Sequence, residues 1–165
     1  MSERRGDYWQ EPKNLTAPIN SAGHEASVTV SADGKMIFFT RCEKMDQRSA
    51  TGCAIYVSRK KGNGQWDEPS ALPDFINTGN SQTPRIMADG ETLYFASDKM
   101  PGSQGGMDLY VTRLKETTWS KPLALDFANT EKDDQYVSVT ALGRYLLRDT
   151  KGSRKNELVE YLIPG

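Results

Sequence analysis

"SADGKMIFFT", residues 31–40, is nearly rewritten as "MADGETLYFA" at residues 87–96. Both phrases carry Asp-Gly, which tolerates positive φ and favours a tight two-residue hairpin turn. Both then run into aromatic and β-branched residues that suit a strand. Short strands precede the turns: "SVTVS" at 27–31 and "TPRIM" at 83–87. A third, looser copy has "YVSVT" at 136–140, with Leu142-Gly143 in place of Asp-Gly, then "RYLLRD".

The repeat extends outward from this hairpin. "CAIYVSR" (53–59) matches "MDLYVTR" (107–113), and "NELVEYLI" (156–163) holds that place more loosely. "GQWDEPSALPDFINT" (64–78) matches "TTWSKPLALDFANT" (117–130), and "DYWQEPKNLTAPINS" (7–21) opens the chain with the same phrase. The unit reads strand a, turn, strand b, loop, strand c, turn, strand d. Asp33-Gly34 recurs 56 residues on, and Leu142-Gly143 follows a further 53 on; four strands repeating at ~40–50 residues is the signature of a propeller blade, which this unit somewhat exceeds. Pro12, Pro69 and Pro122 suit an outer edge strand, where a missing N–H costs little. No stretch has sustained helical periodicity. The expected fold is all-β: a β-propeller of four-stranded antiparallel blades, about three of them, in one domain over 1–165. The blades are expected at 27–72, 83–125 and 136–163, the last completed by strand 8–15.

"SADGKMIFFT", "GGMDLYVTR", "WDEPSALPDFINT" and "WQEPKNLTAPINS" together resemble the WD-like repeat of TolB-type β-propellers. The resemblance runs from Tyr8 to Ile163; the third copy departs from it at Leu142 and over 154–157. It implies a non-catalytic binding or scaffold module of a bacterial cell envelope protein, taking a protein, peptide or glycan partner. Three blades are fewer than the usual four to eight. The chain is therefore expected to be half of a six-bladed ring, completed by a second copy as a homodimer or by more of a longer chain.

Composition narrows function by exclusion. The net charge of −1 implies no attraction to nucleic acid. No apolar run approaches the ~20 residues of a membrane helix, so no membrane insertion is expected. Arg59-Lys60-Lys61 precedes Gly62-Asn63-Gly64 and reads as a solvated turn. "KGNG" (61–64) and "PGSQGG" (101–106) lead into strands, whereas a phosphate loop needs a helix behind it. No Gly-x-Ser-x-Gly elbow exists and His24 is the only histidine, so serine-hydrolase chemistry lacks its parts. No cofactor or metal is expected.

Cys42 and Cys53 are the only cysteines. Their spacing suits neither a zinc nor a redox motif. Two readings stand: ordinary thiols, or a disulfide across the b–c hairpin, which implies an oxidising compartment. The N-terminus shows no signal-peptide core. The expected location is periplasm or cell surface, with a targeting segment outside this sequence; cytoplasm is the alternative.

Aligning the turns places His24-Glu25, Asn80-Ser81 and Asp133-Asp134 together, just before strand a. Strand a lines the central channel of a propeller, so these residues are expected as an exposed polar ring at its mouth. Arg85, within strand a, adds a charge to the wall. The ring is the candidate site for a glycan, peptide or cation. A glycoside hydrolase is the alternative, with Glu25 and Asp134 as paired carboxylates. Asp108 is expected to bond loop amides, and Trp9, Trp66 and Trp119 to pack between blades.

Overall fold

The computed structural model describes residues 2, 4–45, 50–140, 145–151 and 157–162. The described residues form an all-β chain of three antiparallel sheets and a short N-terminal hairpin, with no helix. In the hairpin, β1 (Arg4–Arg5) pairs with β2 (Tyr8–Trp9). The first sheet runs β3 (His24–Val30), β4 (Met36–Met45), β5 (Ala50–Arg59) and β6 (Ser70–Ala71). The second has β7 (Ser81–Ile86), β8 (Thr92–Ser97) and β9 (Asp108–Lys115). Its fourth strand is split into β10 (Thr118–Trp119) and β11 (Leu123–Ala124), both paired with β9. Pro122 lies in the gap, where its missing N–H interrupts no ladder. The third sheet is β12 (Asp133–Val139), β13 (Tyr145–Lys151) and β14 (Glu157–Leu162).

The apolar runs follow from burial on both faces. Along β4, Phe38 packs toward the second sheet with Ile55, Leu93, Phe95 and Tyr110. Its neighbours Ile37 and Phe39 point the other way, toward Leu15, Ile19 and Trp66. Along β8, Leu93 and Phe95 face the first sheet, while Tyr94 and Ala96 face Val137, Val139 and Leu146 of the third. A strand covered on both faces needs no polar alternation. The second sheet thus lies between the first and third. Trp119 packs edge-on against Phe38, with ring centroids 5.9 Å apart.

The Asp-Gly loops are longer than a two-residue turn. Ser31 N–H donates to Met36 C=O and Met87 N–H to Thr92 C=O, which leaves four residues in each loop. The Asp carboxylate accounts for the difference. Asp33 Oδ1 accepts from Lys35 N–H at 3.0 Å, and Asp89 Oδ1 accepts from Glu91 and Thr92 N–H at 2.9 Å. It thus satisfies amides that a two-residue loop would pair with backbone. Gly34 and Gly90, with φ of 69° and 70°, close the turns, a conformation that favours glycine. The third loop, with Leu142, lies outside the described residues.

Two assignments differ from the sequence reading. The first sheet begins at His24, so His24 and Glu25 lie inside β3 and not ahead of it. Within this chain Tyr8–Trp9 pairs with β1, not with the third sheet, and residues 10–15 are in no strand. The N-terminal segment instead lies on the Ile37–Phe39 face of the first sheet. Arg41 holds it there: Nη2 donates to Ile19 C=O at 3.1 Å, and the guanidinium lies over the Phe39 and Tyr56 rings.

Candidate functional site

The first strands of successive sheets lie side by side, β3 beside β7 and β7 beside β12. Thr83 N–H donates to Thr40 Oγ1 at 3.0 Å and Ile86 N–H to Thr29 Oγ1 at 3.4 Å, fastening β7 to the first sheet. Each of the three strands is bulged at one equivalent place. The pairing register shifts between Ala26 and Thr29, between Gln82 and Arg85, and between Gln135 and Ser138. The bulge residues Ser27, Thr83 and Tyr136 have φ of 49°, 51° and 55°. Positive φ is uncommon for any side chain and costly for β-branched Thr.

The three bulges surround one cavity of about 310 Å³, lined by Ser27-Val28, Thr83-Pro84-Arg85 and Tyr136-Val137-Ser138. Thr83 is 6% exposed, and its Oγ1 has no hydrogen-bond partner among the described residues. Arg85 is exposed and makes no ion pair among them. It also borders a second cavity of about 280 Å³ between Val30, Ile86 and Val139. A larger cavity, about 550 Å³, lies elsewhere, between the N-terminal segment and Lys60, Gly64 and Trp66. It is a gap beside a packed segment. The bulge cavity has the stronger claim, because three repeats distort their backbones to line it.

Of the seven residues aligned from sequence, only Arg85 lines either strand-lined cavity. The others start the first strands, where most join one sheet to the loop before it. Asn80 Oδ1 accepts from Cys53 N–H at 3.2 Å, while its N–H and Nδ2 donate to Asp98 at 2.8 and 2.7 Å. Asp133 Oδ1 does the equivalent work, accepting from Met107 N–H at 3.0 Å. Ser81 Oγ donates to Ile76 C=O at 2.7 Å. Asp134 Oδ2 accepts from Thr130 N–H and Oγ1 at 2.6 and 2.9 Å. Ser81 and Asp134 are fully buried, which corrects their expected exposure. Glu25 Oε1 accepts from Ser21 Oγ and from Arg41 Nε at 2.8 Å. Burial raises the Glu25 pKa, but the bonds from Ser21 and Arg41 outweigh it and hold the carboxyl below its ordinary value. His24 is exposed, opposite Cys42.

No protein-family model and no curated protein matches the chain.

Among the described residues no three His, Cys, Asp or Glu side chains gather as a metal site requires. Asp108 Oδ2 accepts from Ser103 Oγ, Gln104 N–H and Gly105 N–H. Gly105 and Gly106 press against the next first strand; a Cβ on either would meet the Thr130 and Lys132 carbonyls or the Asp133 carboxylate. Cys42 and Cys53 face each other across β4 and β5 and are bonded, S–S 2.08 Å. The bulge residues escape sequence reasoning, because nothing in Ser, Thr or Tyr announces positive φ. The one available signal was their shared place in the repeat.

Proposed function

We propose that this chain is a segment of a TolB-type β-propeller, a non-catalytic binding module of a bacterial cell envelope protein. The three sheets are its blades, and the face where β3, β7 and β12 converge is its ligand face. The observation that carries this reading is the thrice-repeated bulge around one cavity. Backbone strain kept at one equivalent place in three units suggests a function for that place. Among the described residues Arg85 is a cation there without an ion pair, and Thr83 Oγ1 a buried group without a hydrogen-bond partner. The exposed guanidinium suits an acidic group of a protein, peptide or glycan partner. The disulfide accords with the periplasm or cell surface.

The hydrolase alternative finds less support. A general acid needs a raised pKa, whereas that of Glu25 is lowered by Ser21 and Arg41. Asp134 is buried and committed to Thr130. Calorimetric titration with short acidic peptides and anionic glycan fragments tests the binding reading. At least one should bind, and Arg85→Ala should weaken it about tenfold or more. No heat with any of them, or equal heat with Arg85→Ala, overturns it.

A further inference from the structure

Three turns of this chain have one hydrogen-bond pattern, and two of them clamp a strand. Ile76 and Asn77 N–H both donate to Pro73 C=O; Ala128 and Asn129 both donate to Leu125 C=O; Ile19 and Asn20 both donate to Thr16 C=O. The residue before each Asn is buried. In the first two, the Asn side chain grips the outer edge of the third strand of its sheet. Asn77 Oδ1 accepts from Ile55 N–H at 2.8 Å and its Nδ2 donates to Ile55 C=O at 3.1 Å. Asn129 does the same to Leu109, at 2.7 and 3.0 Å. A leucine amide completes each clamp: Leu72 N–H donates to Ile55 C=O and Leu125 N–H to Leu109 C=O.

The third turn is formed but empty. Asn20 is exposed, and its side chain makes no hydrogen bond among the described residues. Trp9, in the repeat position of the packed Trp119, is 70% exposed. At the far end of the stack, no described strand pairs with the outer edge of β14. Strand register identifies the residue that matches Ile55 and Leu109. Ile55 pairs with Thr40 and Leu109 with Ala96. Asp149 holds their place in β13, and its partner is Leu158.

We infer that residues 8–20 dock on the β14 edge of a second copy, with Asn20 clamping the backbone N–H and C=O of its Leu158. Leu15 N–H supplies the third bond, as Leu72 and Leu125 do. The same chain cannot supply both halves. Its N-terminal segment covers the face of the first sheet turned away from the second, while the third sheet lies beyond the second. Among the described residues each copy offers one clip and one edge, so two copies satisfy both by a two-fold exchange. The inference rests on the blade reading above but not on any ligand, so failure of the peptide titration leaves it standing.

Light scattering on the 165-residue chain is expected to give twice 18.4 kDa. Asn20→Asp keeps the acceptor but sets a carboxylate against the Leu158 carbonyl. It should raise the dimer dissociation constant about tenfold or more. Asn20→Ala should do the same without a charge. Hydrogen exchange reads the contact directly: the Leu158 amide should be slow in the concentrated wild type and fast in both variants. A wild-type monomer at about 1 mM, the weak limit of specific association, overturns the inference. So does a dimer that both variants leave unchanged.

Discussion

Replacing Asn129 by Ala removes one side chain that serves as a stretch of β-strand. Its Oδ1 takes the Leu109 N–H at 2.7 Å, and its Nδ2 gives to the Leu109 C=O at 3.0 Å. Leu109 is fully buried, so water cannot replace either bond. The two groups then fare differently. The carbonyl still accepts from Leu125 N–H at 3.0 Å, but the amide is left with nothing. An orphaned buried donor costs about 1–3 kcal/mol, and the bond lost from the still-satisfied carbonyl about 1 more. The expected loss is therefore about 2–4 kcal/mol. At about 2–4 °C per kcal/mol for a chain of this size, Tm should fall by roughly 5–15 °C. Asn129→Asp should cost more at neutral pH than in acid, because the ionised carboxylate faces the Leu109 carbonyl and protonation restores a donor. Urea unfolding by circular dichroism gives the stability, and hydrogen exchange at Leu109 shows whether the loss is local. Stability within about 0.5 kcal/mol of wild type, the range of an inert surface change, refutes the clamp. So would a Leu109 amide that still exchanges slowly in Asn129→Ala.

Two further outcomes follow from the bonds around the hairpins. Cutting the Cys42–Cys53 bond, by reductant or by paired Cys→Ser changes, should cost about 3 kcal/mol, the loop-entropy value for a separation of 11 residues; a denaturation midpoint unmoved by reductant would contradict this. Asp89 is pushed up by burial but held below its ordinary pKa by the Thr92 amide and hydroxyl and the Glu91 amide. Its folded pKa being the lower, it stabilises above the unfolded value of about 4 and ceases to as pH falls through the folded one; Asp89→Asn should flatten the acid limb of a stability–pH profile, and an unchanged limb would refute the assignment.

The sequence by itself determined the β-class and the strand order within each sheet. Hydrophobic runs such as Met36–Phe39 report how much of a strand is buried, and the repeated phrases report which strands are equivalent. Neither quantity depends on what lies opposite. The site was less legible, since its residues act through partners that only the stacking of sheets supplies. Asn80 and Asp133 read as a polar rim because they align and are hydrophilic. Stacking instead brings each against an amide 27 or 26 residues earlier in the chain, and a buried amide must find an acceptor. Asn77 and Asn129 stood in plain view within the repeat, yet a side chain that completes a strand edge has no signature apart from the edge. The left-handed Ser27, Thr83 and Tyr136 were equally silent, because none of these residue types announces a positive φ. Arg85 was found in sequence as a charge on a strand. Tertiary structure alone decided that it lines one cavity with Thr83, whose hydroxyl has no hydrogen-bond partner among the described residues, where three distorted strands meet.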